Sequence, residues 1–482
     1  MAKHIDEGYL AKLNQDGTIA GPASYAEAGD RIGLALSFQP DSPDTLEIPV
    51  TDVNGEVMLV AKGVKAKKQE YATDRPWADG AGFEIVGDFV VPDGLESGVY
   101  LIAGRPEIFF VCGNIPEKKP DVKRISLVIC TNTINAYSRT EGCSLYRRPE
   151  QKPKVSFLRP QEGVKEEEWL NVIQWIKRED PFGKDVEIHY ITDFQLDDYD
   201  NFGENDVLMP VGHSEYWTRE ARENFDRFVA AGKNVVLASG NTMWWKVVYE
   251  GENHSTLVCF KGDDFEEEGK DPAKGTRDET TYWKLPHLEM STISSIGGDF
   301  QHGGYGVFRR KAAKGWGGFR IVNGEHPFFK GSGLKTGSLM PFYHLREYDG
   351  CPVIGFDEKG VPVLDLDVIN AETVELLGFD LGSRGRDYHT VGTMHLLRKT
   401  KESGFVFSFS AKDFCRTIDR EQLPEYSESS RAIKAVLANA VDFALQNKNP
   451  FTSFSVTPRA VKYPMQSPAP QFPEGLEEVL QS

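Results

Sequence analysis

The chain has 482 residues, of which 40% are hydrophobic and 27% are charged. This length exceeds that of one ordinary domain and predicts two to three domains, each able to bury a core of its own. The 73 acidic residues outnumber the 55 basic ones, and the net charge of −18 argues against nucleic acid or an anionic membrane as the main partner.

The start of the chain and its cysteines indicate a cytoplasmic protein. The first residues, MAKHIDEGYLAKLNQDG, lack the apolar stretch of a secretion signal, and no run reaches the roughly 18 apolar residues of a membrane span. The six cysteines form no CxxC pair, which excludes a zinc ribbon and argues against a disulfide framework. They are Cys112, Cys130, Cys143, Cys259, Cys351 and Cys415.

The first part of the chain reads as all-β. Between residues 28 and 113, short runs rich in β-formers, such as IGLALSF and GVYLIAG, are separated by turn sequences such as DSPD and DVNGE. Strands punctuated in this way are typical of a sandwich. We therefore predict an immunoglobulin-like β-sandwich over residues 1–115.

The next part of the chain predicts a different architecture. Four apolar runs are continuous enough to be strands buried on both faces of a parallel sheet. They are ISLVIC (125–130), VEIHYIT (186–192), DVLMPV (206–211) and NVVLAS (234–239). Helical patterns lie between them, including a stripe from Trp169 to Ile176 and a helix capped by Thr218. We predict an open, mostly parallel α/β domain over residues 116–448, of the glutamine-amidotransferase or flavodoxin kind.

The regular pattern loosens after about residue 250. Polar and glycine-rich stretches with short strand-like runs predict irregular insertions over residues 250–345. A strong amphipathic pattern over residues 429–448 predicts a closing helix, and the proline-rich residues 449–482 predict a C-terminal tail.

The exits of the predicted parallel strands carry polar and aromatic residues. Ligands bind outside the carboxyl ends of strands in an open α/β sheet, so Tyr137, His213, Glu215 and Asn241 are candidates for one site. His213 and Glu215 stand two apart, which in extended backbone directs both to the same side. Each residue also has an ordinary explanation, as a loop hydrogen-bonding group, a helix-start carboxylate, a packed aromatic ring or a turn residue.

Several familiar catalytic motifs are missing. Ser239-Gly240 leads to asparagine rather than completing a GxSxG elbow, and no GxGxxG or GxxxxGK[ST] follows a strand. No HExxH zinc motif is present. Cys143 and Cys259, the cysteines considered as nucleophiles, are not at a strand-to-helix elbow.

Five segments between about residues 95 and 270 occur in a characteristic order: SGVY, TNTINAY, PVGHSEYWT, ASGNTMWW and VCFK. Together they resemble the large (beta) subunit of the N,N-dimethylformamidase family. The resemblance implies a mononuclear iron held by two tyrosines and one glutamate. These residues correspond to Tyr100, Tyr137 and Glu215. Three anionic oxygen donors suit a hard cation such as Fe(III), and we expect the metal between the sandwich and the α/β domain.

The resemblance also implies a set of residues around the metal. His213 corresponds through the HxE spacing, Asn241 through GN and Lys261 through CFK. Glu347, in LREYDG, is the second glutamate, although the surrounding sequence departs from the family pattern.

We therefore expect an iron-dependent hydrolase of small, formamide-like N-substituted amides, with water attacking a polarised carbonyl. The resemblance further implies a homo-oligomer, with a small accessory subunit as an additional partner. Two alternatives stay open: a non-heme iron oxidoreductase using the same residues, and a non-catalytic module that binds carbohydrate or protein.

Overall fold

The computed structural model describes most of the chain, apart from a few short segments and the C-terminal end. The described residues are 4–146, 150–163, 165–385, 389–453 and 455. The predicted proline-rich tail lies almost entirely outside these residues. No helix in the described part of the chain combines the length and the apolar character that crossing a membrane requires.

The N-terminal region consists of strands with one short helix, α1 (Pro76–Asp79). The strands are β1 (Ile5–Leu13), β2 (Ile19–Pro22), β3 (Tyr25–Ala26), β4 (Arg31–Phe38), β5 (Thr45–Asp52), β6 (Val57–Lys65), β7 (Gly87–Val90), β8 (Gly98–Ile102) and β9 (Arg105–Cys112).

These strands form two sheets that share one core. The first sheet has the order β2-β1-β4-β7, and the second has the order β3-β9-β8-β5-β6. Apolar side chains from both sheets, among them Leu34, Leu36, Val50 and Phe110, meet in a single buried cluster. The predicted sheet-rich N-terminal region is therefore confirmed, whereas its boundary at residue 115 stays a prediction.

The remaining strands begin with those of the predicted α/β region. They are β10 (Lys123–Ile129), β11 (Cys143–Ser144), β12 (Glu150–Gln151), β13 (Lys154–Ser156), β14 (Val186–Thr192), β15 (Val207–His213), β16 (Tyr216–Trp217), β17 (Asn234–Gly240), β18 (Trp245–Lys246), β19 (Val248–Glu250) and β20 (Thr256–Val258). Later in the chain follow β21 (Gly304–Tyr305), β22 (Gly318–Ile321), β23 (Leu339–Pro341), β24 (Glu347–Gly350), β25 (Val353–Phe356), β26 (Pro362–Leu364), β27 (Thr373–Ser383), β28 (His389–Arg398) and β29 (Phe405–Ser408).

The helices of this part vary from one turn to six turns in length. They are α2 (Thr131–Tyr137), α3 (Leu170–Glu179), α4 (Asp193–Leu196), α5 (Arg219–Ala230), α6 (Thr292–Ile296), α7 (Phe300–Gly303), α8 (Leu366–Ile369), α9 (Phe414–Thr417) and α10 (Pro424–Leu445).

One large sheet organises this part of the molecule. Its strand order is β14-β10-β15-β17-β29-β28-β27-β21-β24, with β22 and β23 joined to β27 at the side. The four predicted strands and β29 run parallel to one another. From β29 onward the pairings are antiparallel, and the long hairpin of β27 and β28 is the largest of them.

The expectation of a mostly parallel sheet therefore holds only for the first half, and the sheet as a whole is mixed. The hairpin that reverses the sheet, within residues 373–398, does not follow from the sequence patterns described above. Nearly every residue of both hairpin strands is buried. Buried polar residues in these strands, among them Glu375, Asp380 and His395, interrupt the continuous apolar run by which the four parallel strands were predicted.

The structure confirms the buried stripe and the N-terminal cap predicted for two of the helices. In α3 the stripe of Val172, Ile173 and Ile176 is buried. In α5 the Thr218 hydroxyl accepts a hydrogen bond from the Ala221 amide at 3.1 Å, which caps the first turn. The closing helix begins earlier than predicted, at Pro424, because proline suits the first helical position.

Candidate active site

The parallel strands bring their exits together at one edge of the mixed sheet. Strand β10 leads directly into α2, which ends at Tyr137. His213 is the last residue of β15 and lies beside Gly240, the last residue of β17. The rim predicted from the strand exits is therefore present, and β29 adds a further exit that carries Lys412.

Two glycines allow the segments around this rim to approach closely. Gly212 has a φ of +96°, and a side chain on it would lie 2.6 Å from the carbonyl oxygen of Glu168. A side chain on Gly240 would collide with the backbone of Ala411 and Lys412. Since only glycine fits both positions, the sequence at the ends of β15 and β17 permits the packing that builds the site.

Tyr137 and Glu215 form the centre of the site. The Tyr137 hydroxyl donates a hydrogen bond to Glu215 Oε2 at 2.7 Å. The other carboxylate oxygen, Oε1, accepts a hydrogen bond from Trp245 Nε1 at 3.0 Å. Burial raises the pKa of the Tyr137 phenol well above its usual value, and Glu215 raises it further. Without a cation the phenol therefore keeps its proton.

His213 lies between three carboxylates. Its Nε2 atom is 3.4 Å from Glu215 Oε2 and 3.6 Å from Glu347 Oε2. Its Nδ1 atom is 3.4 Å from Glu168 Oε2. Nε2 is buried and has no hydrogen-bond partner among the described residues, so the imidazole offers this atom to a ligand.

Glu347 reaches the site from the antiparallel half of the sheet. It lies on β24 directly opposite Tyr305 on β21. Burial raises the pKa of Tyr305 to about 12, with further contributions from Glu347, Tyr146 and Glu215. Strand pairing therefore places a second tyrosine, Tyr305, opposite Glu347.

Lys261 and Asn241 occupy the neighbouring loops in left-handed backbone conformations, with φ of 57° and 52°. Lys261 Nζ donates a hydrogen bond to the Tyr216 hydroxyl at 2.6 Å and lies 4.4 Å from the centre of the Trp245 ring. The Asn241 side chain is buried, and its Oδ1 atom has no hydrogen-bond partner within the described residues. Lys261 therefore lies against the ring that binds Glu215, and Asn241 directly follows Gly240, the neighbour of His213.

Tyr100 is not brought to this site. It lies on β8 in the core shared by the two N-terminal sheets, where its ring stacks on Phe110 at 5.5 Å. Its hydroxyl donates a hydrogen bond to the backbone oxygen of Glu96 at 2.8 Å. The alternation of β8 turns Tyr100 into the sandwich core. The Tyr100 hydroxyl therefore has its partner within the sandwich core and not at the centre formed by Tyr137 and Glu215.

Sequence reasoning missed Glu168 and Lys412. Lys412 Nζ is 3.1 Å from Glu347 Oε2 and 3.3 Å from Glu168 Oε1. Lys412 follows the apolar run that forms β29, and the strand-exit rule applied to this run would have found it. Glu168 precedes a helix in an acidic run, and no local pattern marks it as buried.

A small cavity opens beside the centre. Tyr137, His213, Glu168 and Trp169 line it, together with the apolar side chains of Ile134 and Val211 and with Arg139 and Lys165. Its volume of about 40 Å³ corresponds to a few water molecules. A ligand that fills it must be small.

A cation bound at this centre would need the phenol oxygen of Tyr137 among its ligands. Within the described ranges, no group of three or more histidine, cysteine, aspartate or glutamate side chains is arranged to hold a metal ion. Tyr137 and Glu215 instead pair a phenol with a carboxylate, and His213 Nε2 and Asn241 Oδ1 nearby lack partners. The phenol and carboxylate oxygens are hard donors, and an imidazole nitrogen is a ligand that iron also accepts.

Comparison with known proteins identifies the family of the chain. A search of curated proteins returned no match. The sequence model of the family described as N,N-dimethylformamidase beta subunit-like, C-terminal, matches residues 58–428. The match spans more than half of the chain and includes every segment that contributes to the site. The chain therefore belongs to the N,N-dimethylformamidase beta subunit-like family.

Proposed function

We propose that the protein is an iron-dependent hydrolase of small N-substituted amides such as formamides. The family suggests amide hydrolysis in general. The observation that carries the proposal is the 2.7 Å contact between the Tyr137 phenol and the Glu215 carboxylate, flanked by the partnerless Nε2 atom of His213.

Tyr137 Oη and Glu215 Oε2 are the proposed ligands of a mononuclear Fe(III). The charge of the metal would lower the pKa of the phenol and release the proton that now bridges the two oxygens. Tyr305 is the proposed third donor in place of Tyr100, because it lies directly opposite Glu347 in the sheet, whereas the Tyr100 hydroxyl is bonded inside the sandwich core.

When bound, the metal would act as a Lewis acid that polarises the substrate carbonyl. The chain's own groups would do the rest. Asn241 would donate its side-chain N–H to the carbonyl oxygen as negative charge develops there. Trp245 holds Glu215 through Oε1 and leaves Oε2 directed at the site.

Glu347 is the proposed proton carrier. Its Oε2 atom forms an ion pair with Lys412 at 3.1 Å and lies 3.6 Å from His213 Nε2. It would take a proton from the attacking water and pass it to the amine nitrogen as the carbon–nitrogen bond breaks. His213 would hold the water or the substrate through Nε2. The products are a carboxylic acid and an amine.

The size of the cavity supports a small substrate. The space beside Tyr137 and His213 is about 40 Å³, and the apolar side chains among its lining residues, Ile134, Trp169 and Val211, suit short alkyl groups on the amide nitrogen. Peptides and other large amides would require the lining residues to move.

The decisive experiment measures iron and hydrolysis in the same preparation. We expect about one iron per chain after expression with added iron, a broad visible band from ferric phenolate, and release of amine from N-methylformamide or N,N-dimethylformamide without any reductant. A folded protein without iron under several growth conditions would contradict the metal assignment. A need for reductant or oxygen would favour an oxidoreductase instead.

The family description names a beta subunit, so we propose that the chain works in an oligomer, with or without a small accessory subunit. Light scattering of the purified chain, together with activity measured before and after addition of cell extract, would test this assembly.

A further inference from the structure

Lys412 is buried behind the groups that face the proposed metal. Its side chain is 3% exposed, and its ammonium lies 3.1 Å from Glu347 Oε2 and 3.3 Å from both oxygens of Glu168. It is also 3.4 Å from His213 Nδ1. One cation therefore contacts both Glu347 and His213. It contacts the imidazole at Nδ1, whereas Nε2 faces Glu215.

The charges around Lys412 explain why it stays charged in a buried place. Burial lowers the pKa of the ammonium, but Glu168, Glu347 and Asp413 raise it above its usual value. Burial also raises the pKa of Glu347, but the nearby Lys412 and, to a smaller extent, His213 lower it. The net pKa of Glu347 is below its usual value. A buried charge that loses its partner is strongly destabilised, so the two groups depend on each other.

The position of Lys412 links the two halves of the sheet. Lys412 follows β29, the last parallel strand, whereas Glu347 lies on β24 in the antiparallel part. A side chain on Gly240 would collide with the Lys412 backbone, so the lysine is fixed against the end of β17. The site therefore has a rigid cation against which Glu347 can be aimed.

We infer that Lys412 is a positioning residue of the proposed hydrolase, one that acts through Glu347 by holding its Oε2 atom toward the site. The inference rests on the proposed function. Arg416 provides the contrast, because it binds Glu168 at 3.0 Å and also Glu167 and Asp413 but forms no ion pair with Glu347 in the described part of the chain.

A double-mutant cycle on the iron-loaded protein tests the inference. Lys412→Gln should lower kcat about 100-fold with KM within about threefold, while iron content and the visible band stay unchanged. In a Glu347→Gln background the same change should cost less than about threefold, because the group that Lys412 positions is already disabled. Arg416→Gln, the matched control, should keep kcat within about threefold.

A second readout does not depend on turnover. In metal-free protein labelled with ¹⁵N-histidine, Lys412→Gln should shift the ring resonances of His213, because a cation 3.4 Å from Nδ1 is lost. Arg416→Gln should leave these resonances in place.

Equal losses of kcat from Lys412→Gln in the two backgrounds would overturn the inference, and so would a loss of iron with the lysine. Lys412→Met replaces Lys412→Gln if the latter does not fold. If neither folds with iron present, Lys412 is a structural ion and the inference is wrong. Absence of turnover in the wild type with iron bound would instead refute the proposed function.

Discussion

Tyr100 and Tyr137 are two phenols with opposite surroundings. Tyr100 donates its hydroxyl to the backbone oxygen of Glu96, four residues earlier, inside the core of the N-terminal sheets. Tyr137 donates to the carboxylate of Glu215, 78 residues later in the chain. A backbone oxygen satisfies the hydrogen-bond donor of a buried phenol but carries no full negative charge that would attract a metal ion. A carboxylate is negatively charged, so a cation can replace the proton that the phenol shares with it. The comparison teaches that the partner, rather than the residue type, decides whether a tyrosine can serve a metal.

The largest expected effect comes from Tyr137→Phe. The variant keeps the ring that packs on Tyr146 but loses the proposed ligand oxygen. We expect iron content to fall at least about tenfold and hydrolysis about 1000-fold or more, with the visible band shifted or abolished. Metal analysis and absorbance measure both effects, and an unchanged band would remove Tyr137 from the metal site.

His213→Ala should separate chemistry from metal binding. His213 faces Glu215 and Glu347 but is not a proposed ligand. We expect iron content near that of the wild type and a loss of kcat of about 100-fold, because the water or the substrate loses the Nε2 atom that would hold it in place. Steady-state kinetics after iron quantification check this result. Wild-type turnover in the variant would exclude the imidazole from the mechanism.

The Tyr305→Phe variant tests whether Tyr305, like Tyr137, binds the proposed metal through its phenol oxygen. As a proposed third donor it should shift the visible band and lower kcat about tenfold without emptying the site, since two ligands remain. Absorbance and metal analysis of the purified variant measure this. A spectrum identical to that of the wild type would leave the third donor unassigned.

Asp349 should make the stability of the protein depend on pH. Its carboxylate accepts hydrogen bonds from the backbone amide of Thr242, next to Asn241. Burial raises its pKa to about 7, from 3.8. The folded state therefore holds the proton more tightly than the unfolded state. The resulting stabilisation is present below about pH 4 and is lost as the pH rises through 7.

Asp349→Asn keeps the acceptor oxygen and removes the titration. The variant should be more stable than the wild type at pH 8, with a flatter dependence of the urea midpoint on pH between 4 and 8. Parallel slopes for the two proteins would contradict a raised pKa at this position.

Tyr100→Phe is the control that should change least. We expect iron content, spectrum and kcat within about twofold of the wild type. The lost hydrogen bond to Glu96 should cost about 1 kcal/mol in the free energy of unfolding, measured by denaturant titration. Loss of iron in this variant would return Tyr100 to the ligand set and break the comparison.

The sequence by itself determined most of the local structure. The apolar runs gave four buried parallel strands and their flanking helices, because continuous hydrophobicity and helical spacing are local properties of the chain. The strand exits led to Tyr137, His213 and Glu215, since parallel strands place their carboxyl ends at one edge whatever the remaining fold.

Only the tertiary structure decided which of the other candidates reach this edge. The hairpin of β27 and β28 turns the sheet antiparallel and presents Glu347 opposite Tyr305, while Glu168 and Lys412 arrive from segments 244 residues apart. The same packing keeps Tyr100 in another core. Which strands pair, and which core a strand's side chains enter, depend on segments far apart in the chain. The residues next to a given position in the sequence therefore do not determine them.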